Sequence, residues 1–413
     1  MNPLEPALEY LFSLDQFGIK FGLDNISRLV ERLGHPERSF RSVHVAGTNG
    51  KGSVTAMVDA ALRAAGHRSA RYTSPHLVDL TERFVVDGRP VDRSDLVAVL
   101  GDMRDAVSTM QREGVLEVHP TFFEVTTAAA FELFRRAGVD IAVLEVGLGG
   151  RLDATNVVGP DVTAITSIAL DHEKYLGTTL AEIAREKGGI IKRGVPVVVG
   201  EMPREAASVI EQIAAERGAE IIRATAEAAA TLSLGLAGAH QRRNAAVAVR
   251  VLEALDARGV HVPFSAIAEG LADPQWPGRL DLRRLADGRE ALLDAAHNPA
   301  GAAALASYLQ AWHRDEPRPP LVFAAMRDKD IEKMFEMLLP VIGAVIVTRA
   351  STARAAAPDE LAAAARRTAP QLRVVVAESP DQALATAWRL GRRIVIAGSI
   401  FLLGDVLKLI NAP

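Results

Sequence analysis

Several features are missing from this sequence of 413 residues, and each absence excludes a class of protein. The sequence has no cysteine, which excludes a disulfide scaffold, a thiolate metal site and a cysteine nucleophile. No apolar run approaches the ~20 residues needed to cross a bilayer, and runs such as 195–199 are strand-sized. Lys and Arg number 47 against 51 Asp and Glu, a net charge of −4 that argues against a general nucleic-acid binder. We therefore expect neither nucleic acid nor membrane as a partner.

Length and composition favour a globular protein of two or three domains, since domains commonly have roughly 100–200 residues and 49% of this sequence is hydrophobic. The N-terminal stretch MNPLEPALEYLFSLDQ carries acidic residues and has no basic region followed by an apolar run. It does not resemble a signal peptide, so we expect a cytoplasmic protein.

Two series of short β-branched runs alternate with Ala- and Leu-rich helical stretches, a pattern that predicts βαβ units around parallel sheets. The first series runs from about residue 40 to 200, and its predicted strands are 42–46, 141–146, 162–168 and 195–199. The second series has predicted strands at 291–294, 321–325, 344–348, 372–377 and 393–397. We predict an α/β protein with an N-terminal domain over 1–285, a smaller Rossmann-like C-terminal domain over 290–413, and a polar boundary at 286–290.

A glycine-rich loop, GTNGKGS at 47–53, lies between the predicted strand 42–46 and a predicted helix over 53–65. At such a junction, free backbone N–H groups and the positive end of the helix dipole favour a bound phosphate. Lys51 could reach the β- and γ-phosphates, and Ser53 could offer its hydroxyl to them or to Mg²⁺. Gly52 separates the lysine from the hydroxyl, unlike the standard motif, and a plain turn with a solvated lysine is the alternative. We favour a P-loop for ATP, which makes the N-terminal domain a P-loop ATPase domain.

Possible metal ligands follow two other predicted strands. Glu145 ends the apolar run Ile-Ala-Val-Leu, and His172 comes shortly after 162–168. The carboxyl ends of strands form the ligand crevice of open α/β sheets, and Mg²⁺ prefers hard oxygen ligands. An acid at a strand end is about as often solvated or capping, and a lone histidine is more often structural. Lys187 precedes two glycines at a predicted helix end, where a cation that compensates the helix dipole is the simpler interpretation.

The C-terminal half offers a second set of polar residues. Arg279 follows a Trp-Pro-Gly turn, where it could face an interdomain cleft or be a solvated boundary residue. Asp294 closes the first strand of the second domain, and Asn298 with Pro299 suits a helix N-cap and first helical position. That capping role does not use Asp294 or His297, so both stay candidates for a catalytic or binding role.

Taken in order, these segments resemble the Mur ligase superfamily and, within it, the bacterial folylpolyglutamate synthases, which are often bifunctional with dihydrofolate synthase. The resemblance runs from about Gly18 to the C-terminus. It is carried by GTNGKGS (47–53), YTSPHL (72–77), TER (81–83), TFFEVTT (121–127), LEVGLGGRLDATN (144–156), LDH (170–172), REKGGI (185–190), PGR (277–279) and DAAHNP (294–299). The sequence departs from the family at Gly188, usually alanine, and at Arg327 and Phe401, where relatives often carry histidine.

The resemblance implies an ATP-dependent amide ligase whose C-terminal domain closes over the nucleotide. Its substrates would be ATP, L-glutamate and dihydropteroate or a reduced folate, with Mg²⁺ at two sites, and we expect a monomer. The residues implied for ATP are Thr48, Asn49, Gly50, Lys51, Asn244, Arg279 and Asp294, to which we add Ser53. Those implied for Mg²⁺ are Ser74, Glu145, His172 and Lys187, the last as a carbamate. Those implied for the pterin or folate are Lys20, Phe21, Gly22, Thr121, Phe123, Asp153 and Ala154. We expect Lys51, Lys187 and His297 to be catalytic, His297 by orienting groups in the cleft.

Three other functions stay open: a monofunctional folylpolyglutamate synthase, a Mur-type ligase acting on a cell-wall precursor, and a P-loop ATPase that switches conformation without making an amide. The Thr-Phe-Phe-Glu segment at 121–124 argues against the second by resemblance only. A ligase should release little ADP until both acceptor and amine are present, and this separates it from the third.

Overall fold

The computed structural model describes residues 4–14, 21–313 and 317–411, and the chain forms two compact units. The first unit comprises Met1–His76, Leu80–Gly235 and Arg242–Gln275, and the second comprises Leu77–Asp79, Leu236–Gln241 and Trp276–Pro413. The chain therefore enters the second unit twice for a few residues, at Leu77–Asp79 and at Leu236–Gln241, and returns to the first unit each time. From Trp276 onward it stays in the second unit.

The first unit is built around a sheet whose strands alternate with helices. Its strands are β1 (Arg41–Ala46), β2 (Ser69–Tyr72), β3 (Phe84–Val86), β4 (Arg89–Pro90), β5 (Ile141–Glu145), β6 (Val162–Ile165), β7 (Val197–Val199) and β8 (Ile221–Arg223). Its helices are α1 (Leu4–Ser13), α2 (Asp24–Arg32), α3 (Lys51–Ala64), α4 (Arg93–Arg112), α5 (Phe122–Arg136), α6 (Glu173–Leu176), α7 (Leu180–Gly188), α8 (Arg204–Glu216), α9 (Ala239–Ala257), most of which lies here, and α10 (Phe264–Ala272). The strand order is β4-β3-β2-β5-β1-β6-β7-β8, and only the β2–β3 and β3–β4 pairs are antiparallel.

Strand β1 lies between β5 and β6 and pairs in parallel with both. All of β5 and all but the first residue of β1 are buried, as expected for parallel strands covered on both faces by helices. The carboxyl ends of these three strands meet at one edge of the sheet, the edge at which ligands bind in open α/β folds. Glu145 is in register with Val45 at this edge, beside the glycine-rich loop.

The predicted elements of this unit are largely confirmed, with shifted ends. The strands predicted at 42–46, 141–146 and 195–199 correspond to β1, β5 and β7. Strand β6 stops at Ile165 rather than at 168, and α3 begins at Lys51 rather than at 53. Among the described residues, no helix has both the length and the apolar character that crossing a membrane requires.

The second unit has its own, smaller sheet. Its strands are β9 (Asp281–Arg284), β10 (Glu290–Asp294), β11 (Pro320–Phe323), β12 (Ala344–Val347), β13 (Arg373–Val376) and β14 (Arg393–Ala397). Its helices are α11 (Pro299–Trp312), α12 (Ile331–Leu338), α13 (Pro358–Thr368), α14 (Pro380–Leu390) and α15 (Ile400–Ile410). The strand order is β13-β12-β11-β14-β10-β9, parallel except for β9. The predicted fold class, α/β with two mostly parallel sheets, is confirmed.

The domain boundary predicted at 286–290 differs from the observed one, which falls between Gln275 and Trp276. Strand β9 pairs antiparallel with β10, and the polar residues between them form the turn of that hairpin. In this turn the N–H of Leu285 donates to the carbonyl of Arg289 at 2.9 Å. A polar hairpin turn and a polar linker share the same composition, which is why the sequence placed the boundary too late.

A buried ion pair ties α3 to β2 in the first unit. The carboxylate of Asp59, which is fully buried, accepts hydrogen bonds from Arg71 Nη1 at 3.1 Å and from Ser69 Oγ at 2.6 Å. Arg63 approaches the same carboxylate at 3.6 Å from a more exposed position. A second guanidinium nitrogen of Arg71 donates to the carbonyl of Gln275 at 3.4 Å, the last residue before the chain enters the second unit.

We expect the substitution Arg71→Met to lower the free energy of unfolding by about 2 kcal/mol, less than the ~3–5 kcal/mol typical of a broken buried pair, because Ser69 and Arg63 remain beside Asp59. Urea denaturation followed by circular dichroism measures this loss. The matched control is Arg63→Met, whose partly exposed guanidinium should contribute less than about 1 kcal/mol. Equal losses in the two variants would contradict the assignment of Arg71 as the main partner.

Candidate active site

The glycine-rich loop follows β1 and leads directly into α3. Gly47 has φ of +148° and Gly50 has φ of +88°, backbone conformations that favour glycine. A Cβ atom at Gly47 would lie 1.9 Å from Thr166 Oγ1, and one at Gly50 would lie 2.3 Å from Asn244 Oδ1. Both glycines are thus required by conformation and by space. The structure also brings Asn244, a predicted ATP-contacting residue, against the loop.

The segment that follows β6 holds the backbone of this loop. The hydroxyls of Thr166 and Ser167 both donate to the carbonyl of Asn49, at 2.6 and 3.0 Å. The N–H of Thr48 donates in turn to the carbonyl of Ser167 at 2.8 Å. These contacts explain why β6 ends earlier than predicted, since its last predicted residues bond to the loop. Sequence reasoning missed Thr166 and Ser167, whose signal is a pair of hydroxyl residues directly after an apolar run.

Two lysines converge on one carbonyl oxygen of the loop. Lys51 Nζ donates to the carbonyls of Gly47 at 3.1 Å and Thr48 at 3.3 Å, and Lys187 Nζ donates to that of Gly47 at 3.0 Å. Lys187 lies at the end of α7, as predicted, but it is only 5% exposed and reaches into the P-loop. Burial, and then the charge of Lys51, lower the pKa of Lys187 to about 7, against the smaller opposing effects of Asp171 and Asp153. Near neutral pH much of Lys187 is therefore an uncharged amine.

Oxygen donors suited to a hard cation lie next to this loop. Glu145 is 5% exposed at the end of β5, and Ser74 N–H donates to its Oε2 at 3.3 Å. His172 follows the loop-holding segment with φ of +52°, and its Nε2 lies 4.0 Å from Asp171 Oδ2. The described part of the chain contains no group of three His, Asp or Glu side chains placed to hold a metal ion. A cation here would need further oxygen donors, which the Ser74 hydroxyl and a carbamate on Lys187 could supply.

The loop after β5 brings together two residues predicted to bind the pterin. Asp153 Oδ2 accepts from Leu148 N–H at 2.9 Å, and its Oδ1 accepts from Thr155 N–H at 3.0 Å. Phe123, near the start of α5, packs on the same loop, because a Cβ atom at Gly147 would lie 2.5 Å from its Cζ. Asp153 and Phe123 therefore both contact the turn that directly follows Glu145.

The other predicted pterin residues have more varied surroundings. Thr121 caps α5, donating to Glu124 Oε2 at 3.0 Å and accepting from Glu124 N–H at 3.2 Å. Phe21 is 44% exposed, with its ring 6.1 Å from that of Tyr175, and Gly22 has φ of +144°. Ala154 begins the short 3₁₀ turn after Asp153. Lys20 lies outside the described residues.

In the second unit, Arg279 and Asp294 lie at the carboxyl end of β10. Asp294 accepts from the N–H groups of Leu280 at 2.9 Å and Ala296 at 3.0 Å. Burial raises the pKa of the Asp294 carboxyl, and the charge of Arg279 is the largest opposing effect. His297 Nδ1 lies 2.8 Å from the carbonyl of Ala295.

The start of α11 confirms the predicted N-cap. Asn298 accepts from the N–H of Gly301 at 2.9 Å, and Pro299 is the first residue of the helix. The roles assigned above to individual residues, His297 included, stay predictions.

Comparison with known proteins agrees with the motif pattern. The model of the Mur ligase, glutamate ligase domain matches residues 278–400. The dihydrofolate synthase/folylpolyglutamate synthase of Bacillus subtilis (strain 168) is 34% identical, over 98% of this chain and 98% of that protein. The Mycobacterium tuberculosis folylpolyglutamate synthase complexed with ADP and AMPPCP superposes with a TM-score of 0.90 at 35% identity, covering 100% of both chains. A bifunctional folylpolyglutamate synthase/dihydrofolate synthase from Yersinia pestis, complexed with AMPPNP and Mn ion, superposes with a TM-score of 0.84 at 29% identity, covering 100% of this chain and 99% of that one. This chain belongs to the dihydrofolate synthase/folylpolyglutamate synthase family of Mur ligases.

Proposed function

We propose that this chain joins L-glutamate both to dihydropteroate and to reduced folates, in an ATP-dependent reaction through an acyl phosphate. The observation that best supports this proposal is that Lys51 and Lys187 both donate to the Gly47 carbonyl, beside the carboxylate of Glu145. This arrangement offers the Lys51 ammonium group to a phosphate and hard oxygen ligands to a divalent metal. The name of the Bacillus subtilis relative, which aligns over nearly the whole chain, includes both activities.

The chemical problem is to form an amide from a carboxylate, whose oxygen is a poor leaving group at neutral pH. A carboxylate oxygen of the acceptor attacks the γ-phosphorus of ATP in line, the bond to the bridging oxygen breaks, and ADP leaves. The Lys51 ammonium offsets negative charge on the transferring phosphoryl group. The uncharged amine of L-glutamate then attacks the acyl carbon, loses a proton and expels inorganic phosphate.

The metal set is part of this proposal. Glu145 and Ser74 would hold one Mg²⁺, and His172 with a carbamate on Lys187 would serve a second. Bound Mg²⁺ neutralises charge on the phosphate oxygens. The uncharged amine of Lys187 adds to the carbon of CO₂ and loses a proton, which converts a buried neutral amine into a carbamate with two oxygens that share a negative charge.

The acceptor site is proposed around the loop after β5, where Phe123 and Asp153 meet. Phe123 offers an apolar ring face for a flat heterocycle, and Asp153 offers a buried hydrogen-bonding carboxylate. A monomeric state and a cytoplasmic location are also proposed, and both rest on the sequence alone.

Product analysis tests this function. Purified protein is incubated with Mg-ATP and L-glutamate, with dihydropteroate in one reaction and tetrahydrofolate in the other, and both ADP and product masses are measured. A glutamyl adduct in both reactions supports the bifunctional enzyme, and an adduct with tetrahydrofolate alone supports a monofunctional folylpolyglutamate synthase. ADP release without any adduct supports the regulatory ATPase. Absence of both ADP and adduct points to a different Mur-type acceptor.

A further inference from the structure

A chain of buried hydrogen bonds joins β1 to the loop after β5. His44, in the middle of β1, places its Nε2 2.8 Å from Thr155 Oγ1, and that hydroxyl lies 2.5 Å from Asp153 Oδ1. His44 and Thr155 are fully buried, and Asp153 is 5% exposed. Neither His44 nor Thr155 takes part in the reaction steps proposed above, so their polar side chains in the core need another explanation.

The direction of these hydrogen bonds follows from the donors available. Burial raises the pKa of the Asp153 carboxyl, but the N–H groups of Leu148 and Thr155 donate one to each of its oxygens, and these hydrogen bonds favour the ionised form. The single hydroxyl proton of Thr155 therefore points to Asp153, and the hydroxyl accepts from an N–H at His44 Nε2. Burial lowers the pKa of His44 to about 3, so the ring is neutral and carries one N–H.

If the Thr155 hydroxyl instead donated to His44 Nε2, the single N–H of the neutral ring would lie at Nδ1. This atom is buried and has no hydrogen-bond partner among the described residues. An orphaned buried donor costs about 1–3 kcal/mol, whereas an unused ring acceptor is the milder defect. The order His44 to Thr155 to Asp153 is therefore favoured, with every donor pointing toward the carboxylate.

We propose that His44 and Thr155 are positioning residues for the acceptor substrate, because they fix the Asp153 carboxylate and, through it, the loop on which Phe123 packs. This inference rests on the proposed function, in which Asp153 and Phe123 face the pterin or folate. It assigns the relay, defined as His44, Thr155 and Asp153, a role in acceptor recognition.

The loop has little freedom to move independently of the relay. Its Leu148 N–H is bound by Asp153, and its glycines are in close contact on two sides. A Cβ atom at Gly147 would meet Phe123, and one at Gly150 would lie 2.9 Å from the carbonyl of Lys187. A shift of Asp153 would therefore also move the loop after β5, which forms part of the proposed acceptor site. The P-loop is held separately, by the hydroxyls of Thr166 and Ser167, so ATP binding should be affected much less.

Two matched pairs of variants test this role. Thr155→Val removes the hydroxyl at nearly constant volume, whereas Thr155→Ser keeps it. His44→Gln can place an amide N–H at the position of Nε2, whereas His44→Asn is one methylene shorter. We expect Thr155→Val and His44→Asn to raise KM and Kd for dihydropteroate about tenfold or more, the effect of a lost hydrogen bond to a charged group, with KM for ATP changed less than about twofold. Thr155→Ser and His44→Gln should stay within about threefold of the wild type for the acceptor.

Equal increases in KM for ATP and for the acceptor, a fall in kcat alone, or identical behaviour of His44→Gln and His44→Asn would each overturn the relay. If Thr155→Val does not fold, the His44 pair decides. Direct titration of the protein with dihydropteroate distinguishes a failure of the proposed function from a failure of the positioning role. A wild-type protein that binds dihydropteroate but makes no product refutes the proposed function only, and the Kd values of the variants still decide the relay. A wild-type protein that binds no dihydropteroate overturns both.

Discussion

Replacing Lys51 with methionine is expected to lower kcat for glutamyl product formation about 100- to 1000-fold, the loss typical of removing one group that stabilises charge in the transition state. Lys51 is the first residue of α3, and its ammonium group donates to the loop carbonyls of Gly47 at 3.1 Å and Thr48 at 3.3 Å. These weakly held contacts can be exchanged for phosphate oxygens without disturbing the core. Steady-state assays with all three substrates saturating measure the effect.

The Lys51 variant needs two controls. Thermal unfolding should be nearly unchanged in Lys51→Met, since the side chain is partly exposed. Lys51→Arg keeps the charge but spreads it over a planar fork, so it should retain part of the activity without restoring it fully. A methionine variant that keeps more than about one tenth of the wild-type kcat would be incompatible with the role assigned to Lys51.

Lys187→Ala is expected to lower kcat about 100-fold, and to abolish any dependence of the rate on dissolved CO₂. With the pKa of Lys187 lowered to about 7 by burial, the uncharged fraction is near one half at pH 7 and grows as the pH rises. An ordinary lysine, with a pKa of about 10.4, would be uncharged in fewer than roughly one molecule in a thousand at that pH. In CO₂-limited buffer, added bicarbonate should therefore stimulate the wild-type enzyme more at pH 8 than at pH 6.

The control for Lys187 is Lys192, a less deeply buried lysine of the same segment. Burial also lowers its pKa, to about 8, but its Nζ donates to the carbonyl of Asn156 at 2.8 Å, away from the P-loop. Lys192→Met should keep the bicarbonate response that Lys187→Ala loses. Unchanged turnover in Lys187→Ala, or full activity in Lys187→Arg, which cannot form the carbamate, would refute the proposed modification.

The parts of the site that sequence could predict are those encoded locally. A buried strand, a glycine-rich loop and a helix follow one another within residues 41–64, and each leaves its own pattern. Glu145 was recognisable for the same reason, because it ends an apolar run. Such segments are read from neighbouring residues, so their order and type were correct even where their ends were not.

The parts that sequence could not predict depend on distant partners. His44 and Thr155 are 111 residues apart, and nothing in either neighbourhood indicates that they meet. The helix-end position of Lys187 suggested a solvated cation, and only the packing of α7 against the P-loop shows it buried. The misplaced boundary has the same origin, since pairing of β9 with β10 is what distinguishes a hairpin turn from a linker.

The second unit is discontinuous in sequence, because it includes the short segments Leu77–Asp79 and Leu236–Gln241 as well as the C-terminal part of the chain. Its glycine at 404 has room for no side chain, because a Cβ atom there would lie 2.0 Å from the carbonyl oxygen of Leu77. Ala237 likewise packs on the core that contains Leu280. A fragment expressed from Trp276 onward would lack both Leu77 and Ala237, and would expose the surfaces that they cover. The chain folds into two compact units, but no single cleavage point in the sequence divides it between them.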